Sequence, residues 1–479
     1  MRYQAALRPD SGFKLAECNI PDSLNQFRIL IERGAALLFA SAALLHPVRS
    51  VRDAARIDTR RLCYLTGKPF LGNLACASKT MKLLEGVRVI DLTNVLAGPF
   101  CCYQLAQLGA DVIKVEVPGS GDLARQLGAD ADLNKRRMGA SFLAQNAGKR
   151  SMTINLKSPA GKQVFRRLVA TADILVENFR PGVMSRLELG YDALKEVKPN
   201  LVYCAISGFG QSGSLKDNPA YDQIVQGLSG VMSVTGDKQT APLRVGYPVA
   251  DTIGGITAAF AIAAALFRRQ RNSQGEFIDV SMLEATLVTM GWAVSNWLIA
   301  GVTPEPMGNE NMTASPSGTF KTGGGLINIA ANKQEQFETL CRLLNRRNLA
   351  DDPRYIDRED RKKRRLELKT EIEAALAEKS AKEWSALLNA NGVPAGEVLS
   401  VPDVLELPAI AASGLIRRFE ATPGVDREIA VVRSGFRLAS GDPEPSTPPP
   451  ILGADTDKIL DELGYDRDEI TNLKREGAV

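Results

Sequence analysis

The chain has almost no histidine, and its cysteines show none of the spacings that hold a metal. Among 479 residues there is one histidine, His46, and seven cysteines without a CxxC pair. A body without histidine cannot build a Ser-His-Asp or Cys-His catalytic centre, and it lacks the ligands of a zinc site. Walker A, EF-hand and HExxH motifs are also missing. We therefore predict no metal site, and free thiols in a reducing compartment.

The chain also lacks a basic body and a long apolar run. Residues 1–80 carry 12 basic and 6 acidic side chains, so the remaining residues sum to −2 although the whole chain is +4. A nearly neutral body predicts no nucleic-acid partner. The apolar stretch 34–48 is interrupted by His46 and Pro47, and we find no run of the ~18–20 residues that a membrane helix needs. We expect no membrane partner.

Residues 1–80 are predicted to be an N-terminal extension of uncertain role. The stretch 49–61 contains five arginines, as in an organellar presequence. An upstream start codon would explain the segment equally well, and we expect it to have no catalytic function. The predicted location is the cytoplasm, with the mitochondrial matrix as the alternative if the segment is a presequence.

Short apolar runs alternate with helical periodicity over residues 81–300. This alternation predicts a large α/β domain with a doubly wound, Rossmann-like parallel sheet. A Gly- and Pro-rich segment, 301–319, predicts the start of a smaller α+β domain over 301–435. Residues 436–479 then form a linker and a C-terminal helix that returns to the large domain. The expected strands are 87–92, 111–117, 173–176, 201–207 and 277–280, and the expected long helices are 158–171, 251–271 and 282–300.

A glycine pattern of the dinucleotide-binding type follows the fourth predicted strand. Gly208, Gly210 and Gly213 match GxGxxG. A dinucleotide site needs the third glycine inside a helix, but Asn218-Pro219 follows too soon for one. We interpret the pattern as a loop.

Asp251 stands where an extended segment turns into a Gly- and Ala-rich apolar helix. One interpretation is an N-cap, because aspartate satisfies the free N–H groups of a helix start. The other is a nucleophile, kept ionised by the helix dipole. Gly254 and Gly255 follow, so no side chain would shield the carboxylate from a ligand. The local pattern permits both roles.

A series of ordered sequence blocks from about Leu83 onward resembles class III coenzyme A transferases, the CaiB/BaiF family. That family includes formyl-CoA transferase and succinyl-CoA:dicarboxylate CoA-transferases. The blocks are Leu84-Glu-Gly-Val-Arg-Val-Ile-Asp-Leu-Thr-Asn-Val-Leu-Ala-Gly-Pro99, Leu108-Gly-Ala-Asp-Val-Ile-Lys-Val-Glu116, Pro118-Gly-Ser-Gly-Asp122, Val176-Glu-Asn-Phe-Arg-Pro-Gly182, Leu189-Gly-Tyr191, Ser207-Gly-Phe-Gly-Gln211 and Ala250-Asp251.

The resemblance implies that Asp251 is the nucleophile of an acyl-CoA:carboxylate CoA-transferase. It implies that coenzyme A enters as a thioester substrate, with no permanently bound cofactor, and that the protein is an interlocked homodimer. By the same resemblance, the CoA-binding residues are Ile154, Lys157, Asn178, Phe179 and Arg186. For the oxyanions of the reaction, we expect backbone N–H donors at the start of the Asp251 helix and near Gly318.

The whole pattern is most similar to the succinyl-CoA:dicarboxylate branch. A second carboxylate would need a cation, and Arg244 is the candidate, with an ordinary surface arginine as the alternative. We expect Asp222 to position CoA or to assist Asp251. The family often has arginine where this chain has Val117, and formyl-CoA transferase differs at Asn94 and Leu96, which argues against oxalate or formate as substrate.

Two other functions stay open. The racemase branch of the family uses a His-Asp pair where this chain has Tyr221-Asp222. A phenol of pKa ~10 is a poor general base at neutral pH, so this branch is disfavoured. Tyr221 would then be a buried aromatic residue at a helix start. The second alternative is a non-catalytic CoA-binding protein, which would not become acylated at Asp251.

Overall fold

The computed structural model describes residues 82–479; His46 and the predictions for residues 1–80 lie outside them. Its largest sheet has six strands, all parallel, in the order β3-β2-β1-β4-β5-β6. The chain starts in the middle of the sheet and winds outward in both directions, as in Rossmann-type folds. This confirms the predicted doubly wound α/β fold. The strands are β1 (Arg88–Leu92), β2 (Asp111–Glu116), β3 (Arg150–Thr153), β4 (Ile174–Glu177), β5 (Val202–Ser207) and β6 (Glu276–Ser281).

Alternate residues of these strands face two hydrophobic layers. Val89 packs with the helix Ala97–Gln107 and with the long helix Val249–Asn272, here called the central helix. Ile90, the next residue, packs on the other side with the helix Pro159–Ala170. The remaining helices of this part are Ala131–Lys135, Ala140–Asn146, Val183–Arg186, Tyr191–Val197, Asp222–Leu228, Val231–Val234, Met282–Thr289 and Trp292–Ala300, with a 3₁₀ helix at Leu123–Gln126.

The central helix begins at Val249, two residues before the predicted start at Asp251. By length and composition alone it could cross a membrane, which corrects our expectation that no segment would reach that threshold. Its buried face, which includes Ala258 and Ile262, packs into the core beside the sheet. The helix is therefore a core element of this domain.

Two further expectations differ from the structure. The predicted helix 282–300 is divided into two helices at Gly291, whose φ of 41° breaks the helical path. The strand β3 was not predicted, because its polar residues Arg150 and Ser151 conceal the buried position of the strand. Ser151 is buried and its hydroxyl donates to Glu116 at 2.9 Å.

Residues 317–397 form an antiparallel sheet with a core of its own. The strands β7 (Ser317–Lys321), β8 (Leu326–Ala330) and β9 (Ala395–Glu397) pair in that order. Phe320, Phe337 and Trp384 lie in the core beneath them. The helices of this region are Gln334–Leu343, Asn348–Asp351, Arg358–Lys363, Arg365–Leu376 and Ala381–Ala390.

The last part of the chain packs against the first domain. After helices Val401–Leu405 and Pro408–Ser413, a hairpin of β10 (Ile416–Phe419) and β11 (Ile429–Val432) places Phe419 and Val431 against Tyr103. The helices Thr456–Glu462 and Arg467–Arg475 then place Ile459 and Ile470 in the Ile90 layer. The boundaries 81–300, 301–435 and 436–479 stay a prediction.

Candidate active site

Two neighbouring cavities lie at the carboxyl ends of the central strands. Ligands of doubly wound sheets bind at this end, where the winding direction reverses. The loop after β1 contributes Asn94 to both cavities, and the turn after β4 contributes Phe179 to both. The first cavity, about 330 Å³, contains Asp251; the second, about 550 Å³, contains Lys157. We call them the Asp251 cavity and the Lys157 cavity.

Asp251 is not the cap of the central helix. It is the third helical residue after Pro248, and Pro248, the residue at the N-cap position, has no side chain that could accept a hydrogen bond. Within residues 82–479, no hydrogen bond to the Asp251 carboxylate is found. The N-cap interpretation is therefore wrong, and the carboxyl group is left to face the cavity.

Burial raises the pKa of Asp251 to about 7, and the nearby charge of Asp222 adds to the effect. This differs from our expectation that the helix dipole would keep the group ionised. The desolvation of the carboxylate outweighs the dipole, because the charged form loses more hydration than the helix start returns. At neutral pH the group is therefore poised between its acid and its nucleophilic form.

Asp222 caps the central helix from outside the helix. Its Oδ1 accepts the N–H of Ala250 at 2.9 Å and lies 3.5 Å from the N–H nitrogen of Asp251. Its Oδ2 accepts from Gln226 at 2.7 Å and lies 3.5 Å from an Arg244 guanidinium nitrogen. Asp222 is buried, so these contacts place it as a support of the Asp251 backbone; it lines neither cavity.

The predicted supporting residues around Asp251 have distinct positions. Tyr221 lines the Asp251 cavity but is 68% exposed, which corrects the expectation of a buried aromatic residue. Gly254 and Gly255 are buried and do not open the cavity to a ligand. A Cβ at Gly254 would lie 2.9 Å from Met282, and one at Gly255 would clash with the carbonyl of Ala97. These glycines allow close helix packing instead.

The Lys157 cavity brings together four of the five predicted CoA-binding residues. Ile154 is buried in its apolar wall, and Phe179 forms the border with the Asp251 cavity. Lys157 and Arg186 are exposed at this cavity, and neither forms a salt bridge within residues 82–479. Two unpaired cations beside an apolar groove suit a ligand with phosphate groups. Val117, also at the groove, is 58% exposed.

Asn178, the fifth predicted residue, holds the loop after β1. Its Oδ1 accepts the N–H of Asn94 at 2.8 Å, and its Nδ2 donates to the Asn94 carbonyl at 2.8 Å. Asn178 also lines the Asp251 cavity. Its amide therefore fixes the wall that the two cavities share.

The expected oxyanion donors are not where we predicted them. The N–H groups of Ala250 and Asp251 point to Asp222, and Gly318 lies in a separate groove lined by residues 308–311, 317–319, 328–330 and 394–396. The helix Ala97–Gln107 instead begins at the Asp251 cavity, and no side chain among residues 82–479 caps it. Leu96 and Ala97 line the cavity at this helix start. Neither the spacing of residues nor a motif in the sequence indicated that this helix start lies at the cavity.

The family model of CoA-transferase family III matches residues 84–456. The succinyl-CoA:glutarate CoA-transferase of Mus musculus is 36% identical over 401 residues, 84% of this chain and 91% of that protein. The acetyl-CoA:oxalate CoA-transferase of Acetobacter aceti is 39% identical over 333 residues, 69% of this chain and 85% of that protein. The crystal structure of a CAIB/BAIF family protein from Brucella suis covers 80% of this chain and 100% of its own, with a TM-score of 0.71 and 32% identity. The chain therefore belongs to CoA-transferase family III and is a CoA-transferase.

Proposed function

We propose that this CoA-transferase moves coenzyme A from an acyl-CoA, with succinyl-CoA as the first candidate, to a dicarboxylate through a covalent relay on Asp251. The observation that carries the proposal is the shared wall of the two cavities. Lys157 and Arg186 offer cations for the CoA phosphates, and Phe179 leads from their cavity to that of Asp251. A bound thioester would extend from one cavity into the other.

The relay divides one transfer of CoA into four steps. The Asp251 carboxylate attacks the thioester carbonyl, and a mixed anhydride forms as CoA leaves as a thiolate. The thiolate then attacks the Asp251 carbonyl carbon, which releases the donor acid and forms an aspartyl-CoA thioester. The acceptor carboxylate attacks this thioester and expels the thiolate, giving a second anhydride. The thiolate finally attacks the acceptor acyl carbon, which releases the new acyl-CoA and the Asp251 carboxylate.

Each attack on a carbonyl places negative charge on an oxygen near Asp251. The start of the helix Ala97–Gln107 supplies uncapped N–H groups in the same cavity. Preorganised N–H donors of this kind stabilise a tetrahedral oxyanion, and losing one such donor in an enzyme costs about 10²–10³ in rate. We assign this role to the backbone at Leu96 and Ala97.

The dicarboxylate preference rests on the named relatives and on Arg244. The mouse relative is named for succinyl-CoA and glutarate, and the Acetobacter relative for oxalate. The similarity to the Acetobacter protein weakens the case against oxalate that Asn94 and Leu96 made. Oxalate should therefore be assayed among the acceptor acids. The Arg244 side chain is 42% exposed, and its contact with Asp222 is long, at 3.5 Å. A substrate carboxylate could replace Asp222 as the partner of the guanidinium group.

A mass-spectrometric trapping experiment tests the relay. The protein is incubated with succinyl-CoA and hydroxylamine, which converts an aspartyl thioester or anhydride into a hydroxamate. We expect the modification at Asp251 and none at the exposed Asp217, which serves as the internal control. Transfer to glutarate without any trapped Asp251 adduct would contradict the relay, and an inert protein would favour the non-catalytic CoA-binding alternative.

We also propose that the protein is a homodimer. Large apolar side chains are exposed around the second half of the divided helix, where Trp292 is 74% and Ile299 is 85% exposed. Phe260 of the central helix is 76% exposed as well. Apolar surfaces of this extent mark interaction sites. Light scattering should give the mass of two chains, and a stable monomer would contradict this proposal.

A further inference from the structure

A buried ion pair lies behind the wall of the Asp251 cavity. Lys114 of β2 is fully buried, and its ammonium nitrogen lies 2.9 Å from Asp122 Oδ2. The same nitrogen donates to the carbonyl of Thr93 at 2.9 Å. Thr93 is the first residue of the loop 93–96 that follows β1. Lysine is rarely buried unless it is paired, and the two shortest of its polar contacts lead towards this loop; a third, longer one joins it to Asp91 of β1 at 3.9 Å.

The carboxylate of Asp122 joins two parts of the cavity wall. Its Oδ1 accepts the N–H of Val95 at 3.0 Å and the N–H of Ala124 at 2.8 Å. Val95 lines the Asp251 cavity, and so does Leu123, at the start of the 3₁₀ helix that Asp122 caps. Asp122 itself is 1% exposed and is not part of the cavity surface. Its effect on a ligand must therefore be indirect.

Val95 has a backbone conformation that valine rarely adopts. Its φ is 67°, in the left-handed region, where a β-branched side chain is an outlier. Such strain persists only when the surrounding structure holds it in place, and it is often found at functional sites. Asp122 holds the N–H of Val95, while Asn178 holds both main-chain groups of Asn94. The helix Ala97–Gln107 starts two residues later.

The charge on Asp122 does not vary near neutral pH. Burial alone would raise the pKa of this carboxyl, but Lys114 and the N–H groups of Val95 and Ala124 lower the pKa below its usual value. The pKa of Lys114 is raised, because Asp122 and Asp91 outweigh the effect of burial on the ammonium group. The pair is a permanent charged contact at neutral pH.

We propose that Asp122, oriented by Lys114, is a positioning residue for CoA transfer. It holds Val95 in the left-handed conformation and so places the start of the helix Ala97–Gln107 at the wall of the cavity that contains Asp251. This inference rests on the proposed function, because the helix start matters only if oxyanions form beside Asp251. Displacing that start by a fraction of an ångström would impair the chemical steps more than the binding of CoA.

Three variants test the assignment against a matched control. Asp122→Ala removes the acceptor, and we expect kcat to fall about 100-fold while KM for succinyl-CoA stays within about threefold. Asp122→Asn keeps an acceptor oxygen and should retain at least about ten times the kcat of the alanine variant. Adding Val95→Gly to Asp122→Ala should restore at least about tenfold in kcat over Asp122→Ala, because glycine adopts the left-handed conformation without steric cost.

The control is Asp173→Ala, at the opposite ends of the strands. Asp173 also accepts a backbone N–H, from Arg88 at 2.8 Å, and pairs with a cation, Arg269, at 2.7 Å. Its loss should lower the melting temperature without changing kcat. A purely structural Asp122 would behave in the same way, and Val95→Gly would then restore nothing.

The proposal is overturned if Asp122→Ala keeps wild-type kcat, or if its loss of kcat is unchanged by Val95→Gly. If Asp122→Ala does not fold, Asp122→Asn decides. A folded Asn variant contradicts the proposal if kcat falls by more than about tenfold, because the acceptor is still present, or if kcat stays at the wild-type value and only the melting temperature falls, as for a purely structural residue; a loss of about three- to tenfold in kcat with an unchanged KM supports it. Absence of CoA transfer by the wild-type protein would refute the proposed function, whereas full activity of Asp122→Ala would refute only the positioning role.

Discussion

The main-chain nitrogen of Asp251 lies 3.5 Å from the carboxylate of Asp222, whose charge opposes ionisation of the Asp251 side chain. One acidic residue thus supports the backbone of the other and raises the pKa of its side chain. A carboxyl group with a raised pKa is a stronger nucleophile once ionised, but a smaller fraction is ionised at neutral pH. The pair therefore links the geometry of the site to its pH dependence.

The value of kcat/KM for succinyl-CoA should rise with pH with an apparent pKa of about 7, because Asp251 must be ionised to attack. Asp222→Asn should move this apparent pKa to a lower value, since it removes the neighbouring charge and keeps an oxygen for the N–H of Ala250. Initial rates between about pH 5.5 and 8.5 measure both profiles. A flat profile in the wild type would contradict the assignment.

Asp251→Asn should abolish transfer and stabilise the protein. The folded state holds the proton of Asp251 up to about pH 7, whereas the unfolded chain releases it at the ordinary aspartate pKa of 3.8. The folded state therefore binds more protons in this window, and its stability falls as the pH rises from about 4 to 7. Asparagine removes that penalty, and we expect a gain on the order of 2 kcal/mol in the free energy of unfolding at pH 8.

Denaturant unfolding of the two proteins at pH 5 and pH 8 measures this difference. The gain should be smaller at pH 5, where Asp251 is protonated in the folded wild type. CoA binding should survive in Asp251→Asn, because Lys157 and Arg186 are unaffected. A variant that is destabilised at pH 8 would show that the carboxylate has a structural role. A variant that retains turnover would show that the carboxylate is not the nucleophile.

The parallel sheet could be predicted because its strands are short apolar runs between turn residues. Ile174–Glu177 is buried along its whole length and Val202–Ser207 is buried up to Ser207, and such runs are visible in the sequence. The strand Arg150–Thr153 could not be predicted, because the residues that it contacts are distant in sequence. Arg150 forms ion pairs with Asp111 and with Glu462. Partners this far apart in sequence leave no local pattern.

The site also combines features that follow from local sequence patterns with features that depend on contacts between distant residues. Lys157 and Phe179 follow β3 and β4, so the topology of the sheet brings them to one edge. The support that Asp222 gives to Ala250 depends on a contact across 28 residues and could not be read from spacing. The left-handed backbone conformation of Val95 could not be predicted either, because nothing in the neighbouring sequence requires a left-handed residue there.

Arg244→Gln should raise KM for dicarboxylate acceptors more than for monocarboxylates. The guanidinium is half-exposed and makes only a 3.5 Å contact with Asp222, so it is available to a second carboxylate. A charge-assisted contact of this kind corresponds to roughly a tenfold change in KM for glutarate, with little change for butyrate. Lys238→Gln is the control, since Lys238 is exposed and pairs with Glu305. Equal effects on both acids would make Arg244 an ordinary surface residue.

Lys157→Ala and Arg186→Ala should each raise KM for acyl-CoA and leave kcat nearly unchanged. Both cations are exposed at the Lys157 cavity, away from the Asp251 carboxyl group, so they bind the ground state and the transition state alike. Losing one charge-assisted phosphate contact should raise KM about 10-fold, and the effect should shrink as salt is added. Lys162→Ala, which removes a cation already paired with Glu188 at 3.0 Å, is the matched control. A fall in kcat without a change in KM would mean that these cations act on the reacting centre and not on the CoA phosphates.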